Sequence, residues 1–160
     1  MIASVRFRVW VLVGLLFVLH FLLHVGFGFG VGAPDLLTVA LLLAAREIGM
    51  GRAAVMGLSF GLMEDALSVL AFGANSIALT IVAIGGAFTR DLFVGDSRLF
   101  LVSYLLIGKW LRDLLHWIAV GEGLRQPFFE QVLIQGAIGS VYAAAVGIAL
   151  ASLTGLGREA

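Results

Sequence analysis

Two adjacent carboxylates, Glu64 and Asp65, stand inside an apolar stretch, and another apolar stretch carries Lys109, Arg112, Asp113 and His116. The spacing i, i+3, i+4, i+7 places those four on one face of a helix. His20 and His24 lie one helical turn apart in a third stretch. Imidazole and carboxylate are ligand types for a metal ion, and Asp, His and Lys side chains inside a bilayer are the parts of proton relays. Neither chemistry has a local signature here. There is no HExxH-like motif, and two basic residues stand among the acids. Ser68 has no base at a sensible spacing, so nucleophilic catalysis has no support. Three acids, Glu64, Asp65 and Asp113, nearly balance Lys109 and Arg112, and a near-neutral set of this kind neutralises itself. The expectation is a buried polar layer that fixes helix register, made of Asp65, Arg112, Glu64, Lys109, Asp113, His20 and His116. It carries no catalytic residue, no metal and no cofactor.

The elements that would position such a layer follow from composition. The 160 residues are 61% hydrophobic and 12% charged, with net charge zero. A soluble domain of this size cannot hide so much apolar surface. No basic run exists, which leaves nucleic-acid binding without support. The absence of cysteine excludes disulfides and thiolate chemistry. The first apolar stretch follows Arg6 and Arg8, is too long for a signal-peptide core and lacks a small-residue cleavage site, so it reads as a retained anchor.

Apolar stretches predict a single membrane domain over residues 1–160, with helical spans at about 9–29, 34–50, 53–72, 74–89, 99–119 and 132–154. The basic residues sit in alternate gaps. Arg6, Arg8, Arg46, Arg52, Arg90, Arg98 and Arg158 fall on one side and Arg125 alone on the other. By the positive-inside rule this is an all-α, six-span protein with both termini in the cytoplasm.

Within the spans, Gly57 and Gly61 form a GxxxG pair, and Gly139, Ala143, Gly147 and Ala151 recur every fourth residue. Such small-residue rows let helices approach closely, and the row in the sixth span is a candidate membrane contact for a partner. Gly26–Gly32, with glycine at every second position, is expected to fray. Trp117, Phe128 and Phe129 flank the outer loop as interface anchors or partner contacts. Depth can be compared between the third and fifth spans, which both run outward. Asp65 lies twelve residues into one, roughly 18 Å, and Arg112 thirteen into the other, roughly 19–20 Å. This predicts an Asp65–Arg112 pair, with Glu64 and Lys109 as a looser second pair.

Three segments carry a family resemblance: Pro34-Asp35-Leu36-Leu37, Gly61-Leu62-Met63-Glu64-Asp65-Ala66-Leu67-Ser68 and Phe72-Gly73-Ala74-Asn75-Ser76-Ile77-Ala78-Leu79. In order and spacing the chain resembles the MreD family of the bacterial rod-shape system, over about a third of its length. The resemblance implies a non-enzymatic scaffold of the cell-elongation complex in the bacterial inner membrane. It would bind an MreC-like single-span protein and accompany MreB, a RodA-like glycosyltransferase and its transpeptidase in cylindrical peptidoglycan synthesis. It also implies a fold like the six-helix substrate-binding subunits of energy-coupling-factor transporters. The alternatives are a small-molecule-binding subunit of that kind, which bound ligand would stabilise against heat, and a proton or ion carrier, which would take up protons in vesicles.

Overall fold

The computed structural model describes residues 2–26, 34–68, 71–92 and 98–154. The described residues form six α-helices and no strand: α1 (Ile2–Phe21), α2 (Leu36–Ala45), α3 (Met50–Ala66), α4 (Ala74–Leu92), α5 (Arg98–Ala119) and α6 (Gly136–Thr154). A π-helical turn, Leu22–Gly26, extends α1. A longer one, Phe129–Gln135, leads into α6, and a short 3₁₀ turn, Glu122–Leu124, lies in the loop before it. Two helical stretches are long and apolar enough to cross a bilayer, Arg6–Val25 with mean hydropathy 2.1 and Phe129–Leu150 with mean hydropathy 1.8. The glycine-rich run expected to fray lies, from residue 27 onward, outside the described residues.

Within the second expected span, 34–50, the α-helix covers Leu36–Ala45. Its helix has ten residues, about 15 Å at 1.5 Å per residue, half of a roughly 30 Å hydrocarbon core. All ten are buried. One side of α2 packs into a core with Val9, Leu12 and Leu16 of α1, Leu101 and Leu105 of α5, and Ala143 and Ala144 of α6. The other side, Leu37, Leu41 and Ala45, meets Ala53 of α3 and Leu79, Ala83 and Ala87 of α4. A helix apolar all round is a buried helix, and the remaining five surround this one. It stops at Ala45, where the Glu47 amide turns back to Ala44 O at 2.9 Å and Arg46 leaves to lie against the Phe100 and Tyr104 rings.

Helices α3 and α4 form a tight antiparallel pair, and the GxxxG explains why. A Cβ on Gly57 would stand 2.6 Å from Leu79 O and 2.9 Å from Ala83 Cβ, and one on Gly61 would strike the backbone of Ser76 and Asn75. The reversal between them uses Gly73 at φ +97°, which favours glycine. Gly61→Val is therefore expected to destabilise the fold by about 3 kcal/mol, the upper end of overpacking costs, because backbone cannot rotate aside. Thermal unfolding in detergent checks this, with Gly85→Ala as the control. A Cβ there meets nothing within 4 Å, so that change should be neutral or slightly stabilising.

The small-residue row of α6 is used inside the chain. A Cβ on Gly147 would meet Leu105 Cδ1 at 2.5 Å and Val39 Cγ1 at 3.2 Å, and Ala143 is buried in the core. At Gly147 and Ala143 the row is thus taken up by packing within the chain. Gly139 does not pack closely, and its only neighbour within reach of a Cβ is Asp113 Oδ2 at 4.0 Å.

A charged cavity as candidate functional site

Helices α2 and α4 begin, and α3 ends, at the same end of the bundle, beside the second half of α5 and the π-helical entry to α6. Three helix starts there favour carboxylates, because helix N-termini carry unpaired N–H groups and partial positive charge. The sequence supplies them. Asp35 caps α2, accepting from Thr38 N at 3.0 Å and Thr38 Oγ1 at 2.7 Å. The next orphan amide of α2, Leu37 N, donates to His20 Nδ1 at 3.3 Å. His20 is buried, and its ring stacks on His24 with centroids 4.1 Å apart. The His24 Nδ1–H in turn donates to His20 O at 3.0 Å. The histidine pair thus closes one end of α2.

Asp65 caps α4 from a distance in sequence. Its Oδ1 accepts from Asn75 N at 3.0 Å, and its Oδ2 from Ser76 N at 3.0 Å and Ser76 Oγ at 2.5 Å. Its residue exposure is 0%, and three hydrogen bonds with a helix terminus satisfy the charge with no cation in contact. The expected Asp65–Arg112 pair does not form. Arg112 instead donates through Nη2 to Glu64 Oε1 at 2.8 Å and to Asn75 Oδ1 at 2.7 Å, and through Nη1 to Asp113 Oδ1 at 3.2 Å. The second expected pair, Glu64 with Lys109, is also corrected. Lys109 sits between Asp113, which it hydrogen-bonds, and Asp35 Oδ2 at 3.2 Å. The physical reason is register. Helix α3 ends at Ala66, so Asp65 is a terminal residue that finds the start of α4, while Glu64, one position earlier, turns toward α5.

Asp35 and Asn75 complete the layer, and the sequence reading had left both out of it. The signal was present, since Asp35 and Asn75 open two helices at the same end of the bundle where Glu64 closes a third.

These side chains line a cavity of about 650 Å³. Asp35, Glu64, Asn75, Lys109, Arg112 and Asp113 form its charged wall. Gln131 and Gln135 of the π-helical turn, Tyr142 of α6 and His116 of α5 also line it. The side chains of Lys109, Arg112, Asp35, Asp113 and Glu64 are between 8% and 21% exposed, so the ion pairs are largely screened from solvent. Glu64 Oε2 and Arg112 Nε are buried without a hydrogen-bond partner. Gly136 and Gly139 border the cavity, which explains the missing Cβ beside Asp113.

The expected partner contacts are divided. Trp117 is committed to the chain's own loop. Its Nε1 donates to Gln126 O at 2.9 Å, the Arg125 guanidinium lies 4.9 Å from its ring centre, and Phe128 meets it edge-on at 5.1 Å. Arg125 also donates to Val120 O and Ile118 O. Phe129 is 66% exposed and Phe128 42% exposed, so both present surface outward.

A scan of protein-family models, a search of curated proteins and a search of solved structures each returned no match.

Proposed function

We propose that this chain is a multi-pass scaffold of the bacterial cell-elongation system, similar in role to MreD, binding an MreC-like single-span protein in the inner membrane and supporting cylindrical peptidoglycan synthesis. The observation that carries the reading is convergence. The three segments on which the resemblance rests supply Asp35, Glu64, Asp65, Asn75 and Ser76, and all five meet at one end of the bundle through direct contacts or a shared arginine. Residues quoted for a family pattern and scattered over the chain have a physical reason to occur together when they build one capped, charged junction. In this reading the exposed Phe129 and the loop before it face the periplasm and are candidate contacts for the partner's outer part.

The topology that goes with the proposal is six crossings with cytoplasmic ends, the short α2 crossing inside a sleeve of the other helices. The chain has no cysteine, so single substitutions give clean labels. Glu122→Cys is expected to react with an impermeant maleimide from outside intact cells and Arg52→Cys only after permeabilisation. The reverse pattern would sink the topology. For the role itself, depletion in a rod-shaped host is expected to give round cells, and a single-span partner with a large periplasmic part should copurify. Normal rods with nothing copurifying would count against it. The cavity favours a second reading, a small-molecule-binding subunit, because pockets for such ligands fall in the same size range, about 300–1,000 Å³.

A further inference from the structure

We infer that the cavity is a binding site for a small organic monocation, a primary amine whose ammonium group docks between Asp113 and Glu64. The inference does not rest on the scaffold role. It begins from charge. Asp35, Glu64 and Asp113 stand against Lys109 and Arg112, and each cation already touches carboxylates: Lys109 meets Asp35 and Asp113, and Arg112 meets Glu64, Asp113 and, at 3.8 Å, Asp35. Asp65 is satisfied separately by the start of α4. With all three carboxylates ionised, the layer carries one negative charge in excess, in a site screened from bulk water, where an uncompensated charge is expensive. One monocation completes it.

The atoms that would receive the cation are identifiable. Asp113 uses Oδ1 for both Lys109 and Arg112. Its Oδ2 faces Gly139, where a Cβ would meet nothing else within 4 Å. Glu64 spends Oε1 on Arg112 and keeps Oε2 without a donor. Both residues line the cavity, as do Gln131, Gln135 and Tyr142, whose side chains carry further acceptor oxygens. An ammonium group supplies three N–H donors to such acceptors. A multivalent metal fits less well, since no three His, Asp or Glu side chains are gathered as metal ligands among the described residues. The volume of about 650 Å³ leaves room for a body well beyond the ammonium, and Pro34, Ile138 and Tyr142 give that body apolar contact.

Two sources present this chemistry, a free amino solute and the head group of an aminophospholipid, and the test separates them. Full-length protein in detergent is heated with ethanolammonium or butylammonium chloride, and with sodium, potassium or tetramethylammonium chloride at equal ionic strength. The primary amines are expected to raise the melting temperature saturably, by on the order of 5 °C at a hundredfold excess over Kd. The controls should not. Gly139→Val adds a side chain beside Asp113 Oδ2, at a position where a Cβ meets nothing else within 4 Å, and is expected to keep the fold and abolish the response. Asp113→Asn, which removes the excess charge, should abolish it too. In phosphatidylcholine nanodiscs the response should persist. Loss of the response in phosphatidylethanolamine nanodiscs would identify the lipid head group as occupant, and its retention would identify a free amine. Equal shifts with sodium and with amines, or an undiminished response in Gly139→Val, would overturn the inference.

Discussion

Arg112→Ala is expected to lower the unfolding free energy by about 3–5 kcal/mol, the cost of leaving buried carboxylates without their cation. The arginine is the hub of the charged wall. Its guanidinium joins Glu64 of α3, Asn75 of α4 and Asp113 of α5, and lies close to Asp35 of α2, so its loss loosens four helices at once. Arg112→Lys should recover only part of the effect, because a point charge cannot span acceptors that a planar fork reaches together. Chaotrope or thermal unfolding in detergent measures the loss. A double-mutant cycle gives the sharper result: Glu64 and Arg112 should couple by more than about 1 kcal/mol, whereas Asp65 and Arg112, joined only through Asn75, should couple less. Strong Asp65–Arg112 coupling with none between Glu64 and Arg112 would contradict the geometry.

Asp65→Ala is the second large effect, by a different route. No cation is orphaned. Instead the first amides of α4, Asn75 N and Ser76 N, lose their acceptor inside the protein, and each buried N–H left without a partner costs about 1–3 kcal/mol. A total on the order of 4 kcal/mol is expected. Asp65→Asn should fall between, since its carbonyl serves one amide while its NH₂ opposes the other. Because α4 is held to α3 at Gly61, next to this cap, the damage should appear first at the α3–α4 turn. Hydrogen exchange should report faster opening of residues 73–78 than of α5, and uniform opening of the whole chain would argue against a local cap.

The sequence made the α5 face legible, because a 3.6-residue period acts on side chains directly. Lys109, Arg112, Asp113 and His116 do line one cavity. It also made the approach of a helix at Gly57 and Gly61 legible, since small residues have few other uses at that spacing. The pairing of charges was not legible. Counting depth from the edge of an apolar stretch assumed that helices end where hydrophobicity ends. In fact α3 begins at Met50 and ends at Ala66, which moves Asp65 from mid-helix to a terminus. Its true partners are backbone amides, which every residue possesses and no letter announces. The α2 helix misled for a related reason. Its run of leucine and alanine is equally apolar for a lipid-facing span and for a short helix sealed among neighbours, and only its ten-residue length separates the two. The cavity was illegible in principle, because a void is a property of how helices meet.

The sealed position of α2 bears on the order in which the protein is made. During synthesis α2 emerges early, with Asp35 at its head, yet the lysine that neutralises Asp35 belongs to α5. Until α5 arrives, a helix half a bilayer long carries an unmatched charge. The contacts of Gly57, Gly61 and Asp65 lie within the α3–α4 pair, while Glu64 and Asn75 of that pair still wait for Arg112 of α5. Most contacts of the hairpin are therefore available earlier in the chain than those of α2, which need helices translated after it. A nascent chain halted before α5 leaves Asp35 without its lysine, and the surroundings of α2 are completed only after the whole length of chain between Asp35 and Lys109 has been made.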